Sequence, residues 1–333
     1  MLPTSLHSSK SDNRPNFRTH PTLGWVFLLA VVLSLLNGCA GQGLKFIPPA
    51  DPTFPQQTVL SDVPFFAQKA YQCGPAALAM ALQWSGVPVA PDDLVSMVYV
   101  PDRKGSLQSG MIGAARRHGR LAYPIEGLSC AIEEVAAGHP VIVLQNLGLS
   151  WIPRWHYAVI VGYDLIDDQV VLHTGALAHR RVGFATFQRT WQRAGSWGLL
   201  VLPPGRMPVC AVEQTYLKAA LGLQQAGQAA AALDAFREAR RRWPQSYHAN
   251  MGLGNAQYAV NDLNAAADAF RRAVSLDPQS GDALNNLAHV LAEMGMLDEA
   301  ADTIHRALRT EGPNRELYMQ TLKEIEGRRA ERR

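Results

Sequence analysis

A 34-residue period runs through the last third of the chain and fixes what that part can fold into. Ala232, Ala266 and Ala300 fall in register, as do Phe236, Phe270 and Ile304, and again Ala239, Ala273 and Ala307. Small and bulky residues alternating at helical spacing let two antiparallel helices approach closely. One such pair cannot bury its apolar stripe alone, so successive pairs must stack. Gly227, Asn261 and Gly295 mark the turn inside each unit, where the left-handed conformation is wanted. Pro244, Pro278 and Gly312-Pro313 close the three units. The repeats are read as 213–246, 247–280 and 281–314 within an all-α segment 211–333, with Lys323 to Arg333 as a charged capping helix. The third unit lacks the aromatic, having Ile304 instead.

At 333 residues the chain is too long for one ordinary domain. With 47% hydrophobic and 18% charged residues it has globular composition. Its net charge is +3, and Lys10, Arg14 and Arg18 outnumber Asp12 near the N-terminus, so the remainder carries about +1. That balance gives no basic face for nucleic acid. The four cysteines, at 39, 73, 130 and 210, form no CxxC pair and no zinc-ligand spacing. No P-loop, HExxH or dinucleotide glycine motif is present, so no metal, nucleotide or other cofactor is implied.

Residues 25–36 form an apolar run preceded by basic residues. It is too short for a membrane-spanning helix, which needs about 20 residues, and has the layout of a secretory signal. Leu36-Asn37-Gly38-Cys39 resembles the lipobox of bacterial lipoproteins. The resemblance implies a signal peptide over 1–38, acylation of the Cys39 thiol and attachment to a membrane. Ala40 stands where an aspartate would retain such a protein in the inner membrane, so the expected location is the outer membrane, facing the periplasm. Pro48, Pro49, Pro52 and Pro55 make 39–57 a tether.

Residues 58–204 contain the chemistry. From Ala76 to Trp84 the chain is rich in Ala, Leu and Met, with Pro75 suited to a first turn and Gly86 to a stop. Cys73 therefore sits at a helix N-terminus, where unpaired N–H groups and the helix dipole favour a thiolate nucleophile. The competing account is a buried, inert thiol. His156 is the best-placed base, at the start of a β-type run, Ala158–Val161, that pairs with Val170–Leu172 around a turn at Asp167-Asp168. Helices are expected from Asp92, over Gly110–His118 and over Ala131–Ala137, and a core strand over Val141–Leu144. Cys130 and Cys210 are read as ordinary thiols, with a bridge open to an exported protein. Trp151, Trp155 and Tyr157 either line a cleft or pack, and packing is expected for at least one.

Gln68-x4-Cys73-Gly-Pro-Ala, followed by His156-Tyr-x-Val-x-x-Gly-Tyr-Asp164, resembles the papain-like peptidases that remove double-glycine leaders from bacteriocin precursors. It is most similar to their stand-alone relatives fused to repeats, and the C-terminal period is similar to tetratricopeptide repeats. The resemblance implies an α+β papain-like cysteine peptidase domain followed by an all-α tetratricopeptide solenoid. It implies Cys73 as nucleophile, His156 as base and Gln68 as oxyanion donor, with Gln72 as the alternative donor. The family's His-orienting Asp would fall at position 173. Here that position is His173, followed by Thr174, and either of them or a backbone carbonyl has to substitute. Asp164 is read as structural.

The expected function is hydrolysis of a peptide bond in a protein or peptide substrate, with the repeats recruiting substrate or a protein partner. Acyl transfer on the same Cys–His framework is the enzymatic variant. The alternative is a catalytically inactive peptidase-fold scaffold.

Overall fold

The computed structural model describes residues 53–332. The apolar run, the lipobox at Cys39 and most of the tether lie outside the described residues. No helix among the described residues is long and apolar enough to cross a membrane.

The first part of the fold is a seven-stranded antiparallel sheet with helices packed on it. Its strands are β1 (Gln57–Val59), β4 (Leu121–Glu126), β5 (Val141–Asn146), β6 (Trp155–Asp164), β7 (Gln169–Thr174), β8 (Leu177–Gly183) and β9 (Trp197–Leu202). The spatial order is β4-β9-β5-β6-β7-β8, with β1 pairing the far half of β6. The apolar runs that read as strands in the sequence, Val141–Leu144 and Ala158–Val161, are the two at the centre of this order. They pair in register from Val141↔Ile160 to Asn146↔Trp155. Strands this buried need no alternation, because both faces are covered. The edge strand β8, by contrast, is almost wholly exposed and carries His179, Arg180 and Arg181, charges that discourage edge-to-edge pairing.

Helix α1 (Cys73–Trp84) is the spine of this half, buried from Gly74 to Leu82. Around it lie α2 (Pro91–Val98), a two-stranded ribbon β2–β3 (Tyr99–Val100 with Gly105–Ser106), α3 (Gln108–Arg117), α4 (Leu128–Ala136) and α5 (Phe184–Gln192). Strands β4 and β9 and helix α5 have no counterpart in the sequence reading. Leu121–Glu126 is short and is interrupted by Pro124. Its strand character comes from pairing with Trp197–Leu202, more than 70 residues away.

Seven helices follow: α6 (Glu213–Gln225), α7 (Ala229–Arg242), α8 (Tyr247–Ala259), α9 (Leu263–Leu276), α10 (Gly281–Glu293), α11 (Leu297–Leu308) and α12 (Arg315–Glu331). Three pairs occupy the three 34-residue units, and α12 covers the end. Gly227, Asn261 and Gly295 have φ of 75°, 62° and 77°, the left-handed turn expected at those positions. The recurring aromatics pack over glycines of α8, Phe236 from the preceding helix pair and Phe270 from the same one. A Cβ on Gly252 would lie 2.1 Å from the Phe236 ring, and one on Gly254 would lie 2.5 Å from that of Phe270.

The change of architecture after Leu202 is not a break in the core. One continuous hydrophobic cluster runs from Leu60 through the sheet and into the repeats as far as Ala256 and Ala269, and a second runs from Ala266 to Ile325. At the joint, Tyr216 of α6 lies between Tyr123 of β4 and Trp243, with ring centroids 6.5 and 5.6 Å apart. The Tyr123 hydroxyl accepts from the Val212 N–H at 2.9 Å. Cys130 of α4 and Cys210, just before α6, form a disulfide. This corrects the reading of both as ordinary thiols: a separation of 80 residues concealed a proximity that only the packing of α4 against the linker creates. Buried Glu134 supports the same joint, accepting from the Cys210 N–H at 3.0 Å through one oxygen and meeting His139 Nδ1 at 2.6 Å through the other.

Candidate active site

Cys73 is the first residue of α1, and Gln72 caps the helix without a side-chain bond. The preceding Tyr71 has φ of 62°, a costly conformation for a bulky side chain and one that concentrates at functional sites. It turns the chain sharply into the helix. The next residue, Gly74, is required by space: a Cβ there would meet Ser106 Oγ of β3 at 2.3 Å. The Cys-Gly pair thus lets a neighbouring strand close down beside the thiol. That Ser106 hydroxyl is buried and has no hydrogen-bond partner among the described residues.

Cys73 and His156 line one open cleft of about 880 Å³ together with Gln68, Tyr71, Ser106, Trp155, Tyr157 and Gly175. Three backbone N–H groups, those of Tyr157, Gly74 and Cys73 itself, act on the thiol and favour its ionised form. Burial acts the other way and is the larger effect, so the Cys73 thiol lies above its ordinary value. The N–H groups at the helix start thus favour the thiolate, and burial outweighs them. His156 is displaced downward, mainly by burial and secondarily by the Arg180 guanidinium. Both shifts favour the neutral forms of the two groups that share this cleft.

His156 Nε2 lies 2.7 Å from Thr174 Oγ1. Of the two side chains considered for orienting the imidazole, Thr174 is the one in contact. His173 is fully buried on the other side of β7, where its Nδ1 accepts from the His179 N–H and its Nε2 meets the Val63 carbonyl. It does not orient His156, because strand alternation sends adjacent residues to opposite faces. With Thr174 accepting from Nε2–H, Nδ1 is the nitrogen left with a lone pair. A hydroxyl carries no charge, so nothing in this contact stabilises the imidazolium as a carboxylate would.

Gln68 also lines the cleft, whereas Gln72 does not. Gln68 Nε2 donates to the Tyr157 carbonyl at 3.0 Å, and its Oε1 accepts from the Gly175 N–H at 2.9 Å. One amide N–H remains uncommitted by these bonds. Asp164 closes the β6–β7 turn, accepting from the Ile166 and Asp167 N–H groups, from Gln57 and from Arg181. These bonds, that of Asp167 foremost, hold its carboxyl below the ordinary range, and its role is structural. Tyr157 is buried, with its hydroxyl on the Ser106 carbonyl and its ring edge-on to Trp197. Trp151, on the β5–β6 loop, and Trp155, the first residue of β6, are instead 76% and 57% exposed, so packing accounts for the tyrosine alone.

The sequence reading missed the residues that line the cleft from β2–β3 and from the β5–β6 loop: Arg103, Lys104, Ser106 and Arg154. Short segments of mixed polarity gave no periodic signal, and only the packing of the ribbon on Gly74 and of the β5–β6 loop beside it brings them to the cleft.

The fold and the cleft define an α+β cysteine-peptidase-like domain continuous with a helical solenoid. Residues 60–198 match the Peptidase C39 like family, and residues 217–281 and 258–323 match tetratricopeptide-repeat families. The chain therefore carries a C39-peptidase-like domain followed by tetratricopeptide repeats. No curated protein matches it. Among solved structures, a Bacillus anthracis protein described as a C39-like peptidase is 19% identical, with 44% of this chain and 98% of that one covered and a TM-score of 0.38. The type III secretion translocator chaperone SycD of Yersinia enterocolitica is 17% identical, covering 36% of this chain and 84% of its own, with a TM-score of 0.34. The first repeat domain of Spaghetti (RPAP3), solved with an HSP90 peptide, is 18% identical over 35% of this chain and 93% of its own, again with a TM-score of 0.34.

Proposed function

We propose that this chain is a cysteine peptidase acting on a peptide or protein substrate, with Cys73 as nucleophile, His156 as base and the repeats as the arm that recruits substrate or partner. The observation that carries the reading is the cleft itself. It holds a helix-terminal thiol surrounded by backbone N–H groups together with a histidine whose far nitrogen is held by Thr174. The thiol proton passes to His156 Nδ1 as Sγ attacks the substrate carbonyl carbon. The Cys73 N–H and the second N–H of Gln68 hold the resulting oxyanion. Collapse breaks the C–N bond, and the leaving amine takes the proton from Nδ1. Water, deprotonated by the same nitrogen, then hydrolyses the thioester and returns the thiol.

A lipid anchor at Cys39 would place this domain at the outer membrane on the periplasmic side. The Cys130–Cys210 disulfide fits an oxidising compartment of that kind. The inactive-scaffold alternative draws on a specific pair of observations as well: the raised thiol and the absence of a carboxylate on His156.

Alkylation by iodoacetamide separates the two readings, because Cys73 is the free thiol among the described residues. In an enzyme, His156→Ala slows the labelling of Cys73, because the base assists ionisation of the thiol. Labelling that is slow and indifferent to His156→Ala would leave only the scaffold.

A further inference from the structure

The charges around the cleft are of one sign. Its lining includes Lys69, Arg103, Lys104 and Arg154, and no aspartate or glutamate. Lys69 is neutralised by Asp92 at 2.8 Å. The other three have no carboxylate partner among the described residues. Lys104 Nζ lies 5.9 Å from the centre of the Tyr71 ring, and the side chains of Arg103 and Arg154 make no ion pair. Arg180 adds positive potential at the far side, where it acts on His156.

These cations come from two separate segments, Arg103 and Lys104 from the turn of the β2–β3 ribbon and Arg154 from the β5–β6 loop, and both segments line the cleft that holds Cys73. Unpaired like charges concentrated at a cleft repel one another and are relieved by an anionic ligand. The Arg154 segment also exposes Ile152 and Trp155, 63% and 57% accessible, so the rim offers apolar contact beside the charge.

We infer that the cleft selects an acidic peptide segment, with carboxylate side chains flanking the residue presented to Cys73 and an apolar side chain against Trp155. The inference deepens the peptidase reading and rests on it for the word substrate, but the charge preference is a property of binding and can be read without turnover.

The test uses the full chain carrying Cys73→Ala and three fluorescent dodecapeptides, identical except for Glu, Gln or Lys at three positions. By anisotropy the Glu peptide binds about tenfold more tightly than the Gln peptide, the Lys peptide binds weakest, and the difference shrinks at high salt. R103E/K104E/R154E inverts that order. All three residues are exposed, so the fold is unaffected, and an unchanged melting temperature checks this. Equal affinities for the three peptides, or an order that survives charge reversal, overturns the inference. So does a cation-dependent affinity for anionic vesicles with no discrimination among peptides. Digestion of the same peptides by the chain with Cys73 intact keeps the two claims apart. Cleavage without charge preference sinks the inference and leaves the peptidase. Selective binding of the Glu peptide with cleavage of none leaves the inference and sinks the peptidase.

Discussion

The two halves of this molecule reach stability by opposite routes. In the repeat arm each helix meets the next one in sequence, and the same Ala and Phe positions recur every 34 residues. In the peptidase-like domain the decisive contacts are remote: β4 pairs with β9, β1 with β6, and Cys73 shares a cleft with His156. A local, periodic structure tolerates damage one unit at a time. A sheet whose partners lie far apart along the chain holds its site or loses it as a whole, and this one pays for its cleft with a raised thiol, a left-handed Tyr71 and a buried unpartnered Ser106.

The sharpest break in that comparison is chemical. Cys73→Ala abolishes peptide hydrolysis, a loss of about 10⁴-fold or more, while the melting temperature stays within a degree or so. His156→Ala follows with about 10²–10⁴-fold. A large change in stability in either variant, measured by thermal unfolding, would mean that the pair is structural.

Next in size is the arm. Phe270 is 1% exposed and packs on Gly254, so Phe270→Ala costs about 3–5 kcal/mol. In urea the distal helices α9–α12 unfold early, while the rate of Cys73 alkylation stays unchanged. A single transition that takes the thiol's reactivity with it would show that the two halves are one cooperative unit.

The joint decides how far that separation goes. Cys210→Ser removes the bridge to α4 and lowers stability by about 2–4 kcal/mol. The loss falls on both halves, because the disulfide sits where the continuous core crosses between them. Hydrogen exchange confined to the first repeat would show instead that the bridge only trims a linker.

The smallest effect is at Thr174. Thr174→Val leaves His156 Nε2 without its acceptor and lowers kcat/KM about tenfold. The pH profile is more telling. The base must be neutral, and burial holds the imidazole below its ordinary value, so the acid limb of kcat/KM lies below about pH 6.5. Thr174→Asp stabilises the imidazolium and moves that limb to higher pH. Because burial also raises the thiol, alkylation of Cys73 keeps accelerating as pH climbs past the ordinary cysteine value of about 8.5. A labelling plateau at pH 6 would mean that the resting site is an ion pair.

Whatever is periodic or local in this chain is legible without its fold. The three helix pairs, their left-handed turns at 227, 261 and 295, the helix that begins at Cys73 and the central strands around Val143 and Val159 all follow from propensity and spacing. Cys73 and His156 stand out through a short motif that resembles a peptidase family's, and the structure places both on one cleft. Tertiary structure decided the rest. Thr174 rather than His173 holds the imidazole, because alternation along β7 puts only one of them on that face. Burial outweighs the helix terminus at the thiol, a balance set by every element that packs over α1. Cys130 meets Cys210 across 80 residues, and the cations of two separate segments gather at one cleft. Each of these depends on where distant segments come to rest, and a one-dimensional pattern records only the distance along the chain.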